Sequence, residues 1–267
     1  MFETMTLRRW TARFVIKPHC LNITKFPGEI TLGGFKLRYD DKRYIYYGEL
    51  SKELPSRDTL DVRRIFADFI ERELLSYLIL VTECGMEFNP YDMQLRYEEP
   101  GGSTGIISDV FKIFVLSVNE ESPTAFKGKL EKYKNRLKKL GDIEREWLLR
   151  ALRFWNRGAI DYDKIDKFIN FYIALEIFAK RILNKSDLNN ETLNEIYEEY
   201  GINFEYNVND GDRSVYDIRR HLFHGGATSS KKIKELDEAI KASILIADRF
   251  GQDLFKLVKT YIENKLR

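Results

Sequence analysis

The sequence predicts an α+β protein in two parts: an α+β module over residues 1–120 and an all-α bundle over residues 121–267. Three observations lead there. Short alternating runs broken by turn signals fill the first part, and long stripes at helical spacing fill the second. The texture changes around Ser122-Pro123, which predicts the boundary between the two. With 267 residues, 43% of them hydrophobic, the chain is long enough to bury one large core or two ordinary ones.

In the first part, Trp10, Ala12, Phe14 and Ile16 alternate as in a half-buried strand that ends at Pro18. Ile30, Leu32, Phe35, Leu37 and Tyr39 repeat the pattern across Gly33-Gly34, which predicts a hairpin or a bulge. Residues 44–47 read as the neighbouring strand. Residues 58–82 switch to helical spacing, carried by Leu60, Ile65, Phe66, Phe69, Ile70, Leu74 and Tyr77. Residues 92–97 read as a strand, 100–103 as a loop and 110–118 as the last strand. This part contains no glycine-rich phosphate loop and no chemistry that its residue types point to.

The second part opens with the basic run FKGKLEKYKNRLKKL over residues 126–140. Its Lys127, Lys129, Lys132, Lys134, Arg136, Lys138 and Lys139 read as a solvated helix face before they read as a phosphate-binding one. Trp147, Leu148, Ala151, Leu152 and Trp155 mark the core face of the next helix. Phe168, Tyr172, Leu175, Phe178, Ala179 and Ile182 mark a third, over residues 165–183. Tyr197, Tyr200 and Phe204 suggest another short helix; one more starts at about Ser214, and residues 231–257 form the last. Long amphipathic helices with short connections make a bundle.

Composition excludes several classes of function. A net charge of +2 imposes no nucleic-acid partner, so a basic binding surface has to be local. Three histidines and two cysteines never group at metal-ligand spacing, so no metal and no cofactor is expected. Cys20 and Cys84 lie far apart and fit the thiols of a reducing compartment, where a disulfide between them is not expected. The start, MFETMTLRRW, has no apolar core of signal-peptide length, and Leu78-Ile79-Leu80-Val81 is too short to span a membrane. A cytoplasmic protein without a membrane partner is the expectation.

The densest chemistry lies in VYDIRRHLFHGG, residues 215–226. Its arginines can hold a phosphate and stabilise the charge that builds on it, and its histidines exchange protons near neutral pH. The same segment also describes a plain helix end, with His224 in the last turn and Gly225-Gly226 as the cap. Glu176 adds context. On a helical wheel it falls between Ile169 and Tyr172, inside the apolar stripe, where a carboxylate needs a partner. Arg219, Arg220 and Arg181 are the available ones, and the expectation is that Glu176 orients an arginine of the motif helix.

The run ALRFWNRGAIDYDKIDKFINFYIALE, followed by VYDIRRHLFHGG, resembles the HEPN superfamily, in particular its Apea-like group. The resemblance covers about residues 125–260 and rests on two motifs in the right order. It implies an all-helical bundle marked by an arginine and, a few residues on, a histidine, here Arg219 and His224. It implies a metal-independent endoribonuclease of host defence, toxin–antitoxin or RNA-processing systems, with a composite site formed across a homodimer. Arg219 and His224 would then be catalytic, Glu176 would orient them, and Arg220, His221, Lys231 and Lys232 would bind RNA. The family's active members often carry a small polar residue after the motif arginine, where this chain has Arg220. A second class of function is a non-catalytic module that binds RNA, a nucleotide or a regulatory protein partner. The first part of the chain would sense a trigger, select substrate or hold that partner.

Overall fold

A computed structural model describes residues 7–19, 22–55, 58–97, 117–208, 211–224 and 230–265. The architecture is α+β, with the sheet in the N-terminal region and a helical C-terminal region. The chain divides into two units, Met1–Asn135 and Arg136–Arg267. Their border falls inside a helix, α3 (Pro123–Lys139), rather than at residues 119–124 where the composition changes. Phe126, early in α3, stacks on Phe26 and Tyr46, with ring centroids 4.7 and 6.4 Å away, so the start of the helix belongs to the first core.

The first unit is built on β1 (Arg8–His19), β3 (Glu29–Leu32), β4 (Phe35–Asp40) and β5 (Ile45–Leu54), joined antiparallel in the order β3-β4-β5-β1. Trp10, Ala12, Phe14 and Ile16 are all buried, as their alternation predicts. The far side of β1 is shared by β7 (Gln94–Tyr97) at one end and β6 (Gly85–Phe88) at the other. Pro18 does not end β1. It lies opposite Met86 of β6, beyond Ile16 where the β5 ladder stops, so no bond to β5 is lost there. Gly33 and Gly34, with φ of 55° and 90°, turn β3 into β4, the left-handed pair that a two-residue hairpin demands.

The helix over residues 58–82 appears as α1 (Thr59–Phe69), a π-helical stretch (Ile70–Leu75) and α2 (Ser76–Thr82). Asp58 caps it by accepting from the Leu60 N–H at 2.9 Å. Its Val62, Phe66, Ile70, Leu74 and Leu78 are fully buried. Two further strands pair in parallel, β2 (Asn22–Lys25) and β8 (Ser117–Glu120). β8 overlaps the strand expected at 110–118 in residues 117–118; the rest of that strand and the loop at 100–103 lie outside the described residues.

Cys84 departs from expectation: it is disulfide-bonded. The other cysteine, Cys20, lies outside the described residues. Removing the link by Cys84→Ser is expected to destabilise the first unit by about 2–4 kcal/mol. Thermal unfolding with and without a reductant checks this: wild type should lose stability on reduction and the variant should not respond.

The second unit contains α4 (Asp142–Ile160), α5 (Lys164–Ile177) with a π-helical extension (Phe178–Ile182), α6 (Asn190–Tyr200), α7 (Val215–His224) and α8 (Ser230–Lys265). Phe168, Phe171 and Phe204 gather around Phe250 of α8, with centroids 5.4, 6.1 and 5.8 Å from it. Tyr197 and Tyr200 lie on α6, but Phe204 does not, because Gly201 at φ 67° ends the helix. Phe204 instead leads into a ribbon not anticipated from sequence, β9 (Glu205–Val208) and β10 (Gly211–Ser214). Among the described residues no helix is long and apolar enough to cross a membrane.

Candidate functional site

α7 begins where β10 ends, and its first turn is held from three directions. Ser214 is the cap: its hydroxyl oxygen accepts from the Asp217 N–H at 3.1 Å. The same hydroxyl lies 2.5 Å from Asn190 Oδ1 and 2.9 Å from Asp217 Oδ2, and the Asn190 amide donates to Asp217 at 3.1 Å. Asn190 opens α6, so this polar knot ties the start of α7 to the start of α6. Val215 and Ile218, both fully buried, press the helix onto the bundle. Arg213, just before the cap, pairs with Glu238 of α8 at 2.5 Å and holds that carboxyl below its usual range. Ser214→Ala is expected to cost about 1 kcal/mol, read as a lower urea midpoint at unchanged slope. An unchanged midpoint would mean that the knot contributes nothing.

With Ile218 turned inward, Arg219 falls at the edge of the buried face and is partly exposed. Its guanidinium carbon lies 5.5 Å from the ring centroid of Tyr172 on α5 and 5.1 Å from that of Phe223 one turn on. Two rings thus restrict a flexible side chain while it keeps its charge. Tyr172 is buried, and burial pushes its hydroxyl above the ordinary tyrosine range; the Arg219 charge pulls it down, and Glu176 and Tyr216 push it up.

Glu176 is where the structure corrects the sequence reading. Its side chain is 36% exposed, and its ion pair is with Lys180 one turn along, at 3.0 Å, not with Arg219, Arg220 or Arg181. Lys180 also meets Asp187 at 3.3 Å, and its pKa is raised, chiefly by the bond to Glu176. A wheel gives the direction of the Cα–Cβ bond. The carboxylate at the end of a flexible stem turns along the helix to the nearest cation instead.

Arg220 is exposed and sits 3.5 Å from Asp217 on its own helix. His221 Nδ1 lies 3.8 Å from Glu235 of α8. His224 is the last residue of α7; its side chain and Gly225-Gly226 lie outside the described residues, as does the side chain of Lys231. Lys232 is exposed in the first turn of α8. One helix of 10 residues therefore carries Arg219, Arg220, His221 and His224, with Lys232 following on the next helix. Sequence reasoning missed Tyr172 and Phe223 as partners of Arg219. The spacing of Arg219 and Phe223 was a usable signal; nothing local pointed to Tyr172.

The basic run on α3 is partly neutralised at home. Lys129 pairs with Glu121, Lys127 faces Glu131 at 3.8 Å and Arg136 faces Glu263 at 4.0 Å.

No model of a known family matches this chain, and neither a curated relative nor a solved structure does.

Proposed function

We propose that this chain is a metal-independent endoribonuclease of HEPN type, acting through Arg219 and His224 of α7. The observation that supports the reading best is the setting of Arg219. It is partly exposed and held over Tyr172 and Phe223, on the helix that ends in His224. An arginine oriented by rings holds its charge in a fixed place, where it could stabilise charge that develops on a phosphate.

In this reading the RNA 2′-oxygen attacks the adjacent phosphorus and loses its proton to a base. The bond from phosphorus to the 5′-oxygen breaks, and that oxygen takes up a proton. The products are a 2′,3′-cyclic phosphate and a 5′-hydroxyl. His224 serves as base or acid in one of the two transfers, and Arg219 stabilises the phosphorane. A second copy of the chain would supply the other half of a composite site. Arg220, His221, Lys231 and Lys232 would contact neighbouring phosphates, which requires His221 to leave Glu235 or to bind with it.

The test is cleavage of labelled RNA with end-group analysis. A 2′,3′-cyclic phosphate, formed by wild type and lost in both Arg219→Ala and His224→Ala, is the expected result. RNA bound but uncut by all three proteins would make this a non-catalytic binding module.

A further inference from the structure

We propose that α4 and the π-helical end of α5 carry a separate surface for single-stranded nucleic acid, built from arginines laid on aromatic rings. Ile143, Trp147, Arg150, Phe154 and Arg157 follow one another at helical spacing and so share one stripe of α4. The sequence assigns Trp147 to the core with Trp155, but only Trp155 is buried; Trp147 and Phe154 are partly exposed, and Ile143 is 77% exposed. The Arg150 guanidinium lies 5.2 Å from the Trp147 centroid, and Arg181, reaching over from the π-helical stretch, lies 4.9 Å from it. Arg157 lies 5.1 Å from the Phe154 centroid.

All three arginines are exposed, and among the described residues none has an ion pair with a carboxylate. Elsewhere in this unit Arg213, Arg220 and Arg249 each face an acid. The stripe is about 20 Å long from the helical rise, and its two α4 guanidinium groups stand about 10 Å apart along it without a paired carboxylate. A guanidinium resting on a ring keeps its N–H edge for a phosphate and its outer face for a base. Charge alternating with rings along the stripe is what a strand of stacked bases and phosphates complements. An acidic polypeptide would use the charge and leave the rings idle. None of these residues belongs to the α7 site, and the surface does not depend on cleavage.

The experiment measures binding of short fluorescein-labelled oligodeoxythymidine and 2′-O-methyl-oligouridine to the full chain, by anisotropy at several salt concentrations. Neither strand has the 2′-hydroxyl that cleavage requires, so loss of the ribonuclease reading leaves this test intact. Wild type should bind with a marked salt dependence and with quenching of tryptophan fluorescence. Arg150→Ala/Arg157→Ala/Arg181→Ala should weaken binding about tenfold or more and flatten the salt slope. The matching triple lysine variant should keep the slope and recover only part of the affinity, because lysine stacks poorly. Circular dichroism confirms that the variants are folded. Equal affinity of wild type and the triple alanine variant would overturn the proposal. So would polyglutamate displacing the strands at equal charge, which would mark the stripe as a site for an acidic protein.

Discussion

Arg219→Ala and His224→Ala are each expected to lower the rate of RNA cleavage by about 10²–10⁴-fold, the range for losing an oriented charge stabiliser or a general acid–base group. Arg219→Lys separates charge from geometry. It keeps the cation but loses the planar fork and the fit over Tyr172 and Phe223, so most of the loss should persist. Tyr172→Phe keeps the ring and should leave the rate within a few-fold of wild type, because the guanidinium rests on the ring face. Initial rates on a labelled RNA decide this. Full activity in Arg219→Ala would remove Arg219 from the mechanism, and full activity in both variants would remove α7.

Phe171→Ala is expected to destabilise the second unit by about 3–5 kcal/mol. The ring is buried between helices that come close because they carry glycine where they meet it. A Cβ added at Gly158 of α4 would lie 2.8 Å from Phe171 ring atoms, and one at Gly251 of α8 would lie 2.4 Å from them. Trp155 and Phe250 pack against the same ring at 6.1 Å each, and the Trp155 indole donates to the Gly251 carbonyl at 2.8 Å. Removing the ring leaves a cavity that three helices cannot close together. The converse substitution, Gly251→Ala, should be strongly destabilising alone and much less so in Phe171→Ala, where its methyl enters the vacated space. Urea unfolding followed by tryptophan fluorescence reads both, since Trp155 adjoins the site. Additive costs would show that the glycine and the ring do not share this space.

Much of the framework was legible because backbone periodicity turns directly into faces. Alternation at Trp10, Ala12, Phe14 and Ile16 named one face of β1, and the stripe through Phe168, Tyr172, Leu175 and Phe178 named the buried face of α5. The glycine pair between Leu32 and Phe35 named a hairpin, since few residues tolerate both dihedral angles. Among the described residues four short strands went unseen: β2, β6, β9 and β10, each of 4 residues and without the adjoining alternation that β4 gave β3. Within the candidate site, the arginines and histidines of α7 stood out as residue types in a row. Their partners did not.

The sequence by itself determined most of the buried faces, that a sheet-forming part precedes a helical one, and that one helix concentrates the arginines and histidines. Only the tertiary structure decided what each polar group meets. Arg219 settles over Tyr172 of α5, His221 beside Glu235 of α8, and Cys84 in a disulfide. The reason is physical. Burial is a one-body property that periodicity encodes in the chain, whereas an ion pair, a stacked ring or a covalent bridge needs two side chains within a few ångströms, and that distance exists only after packing.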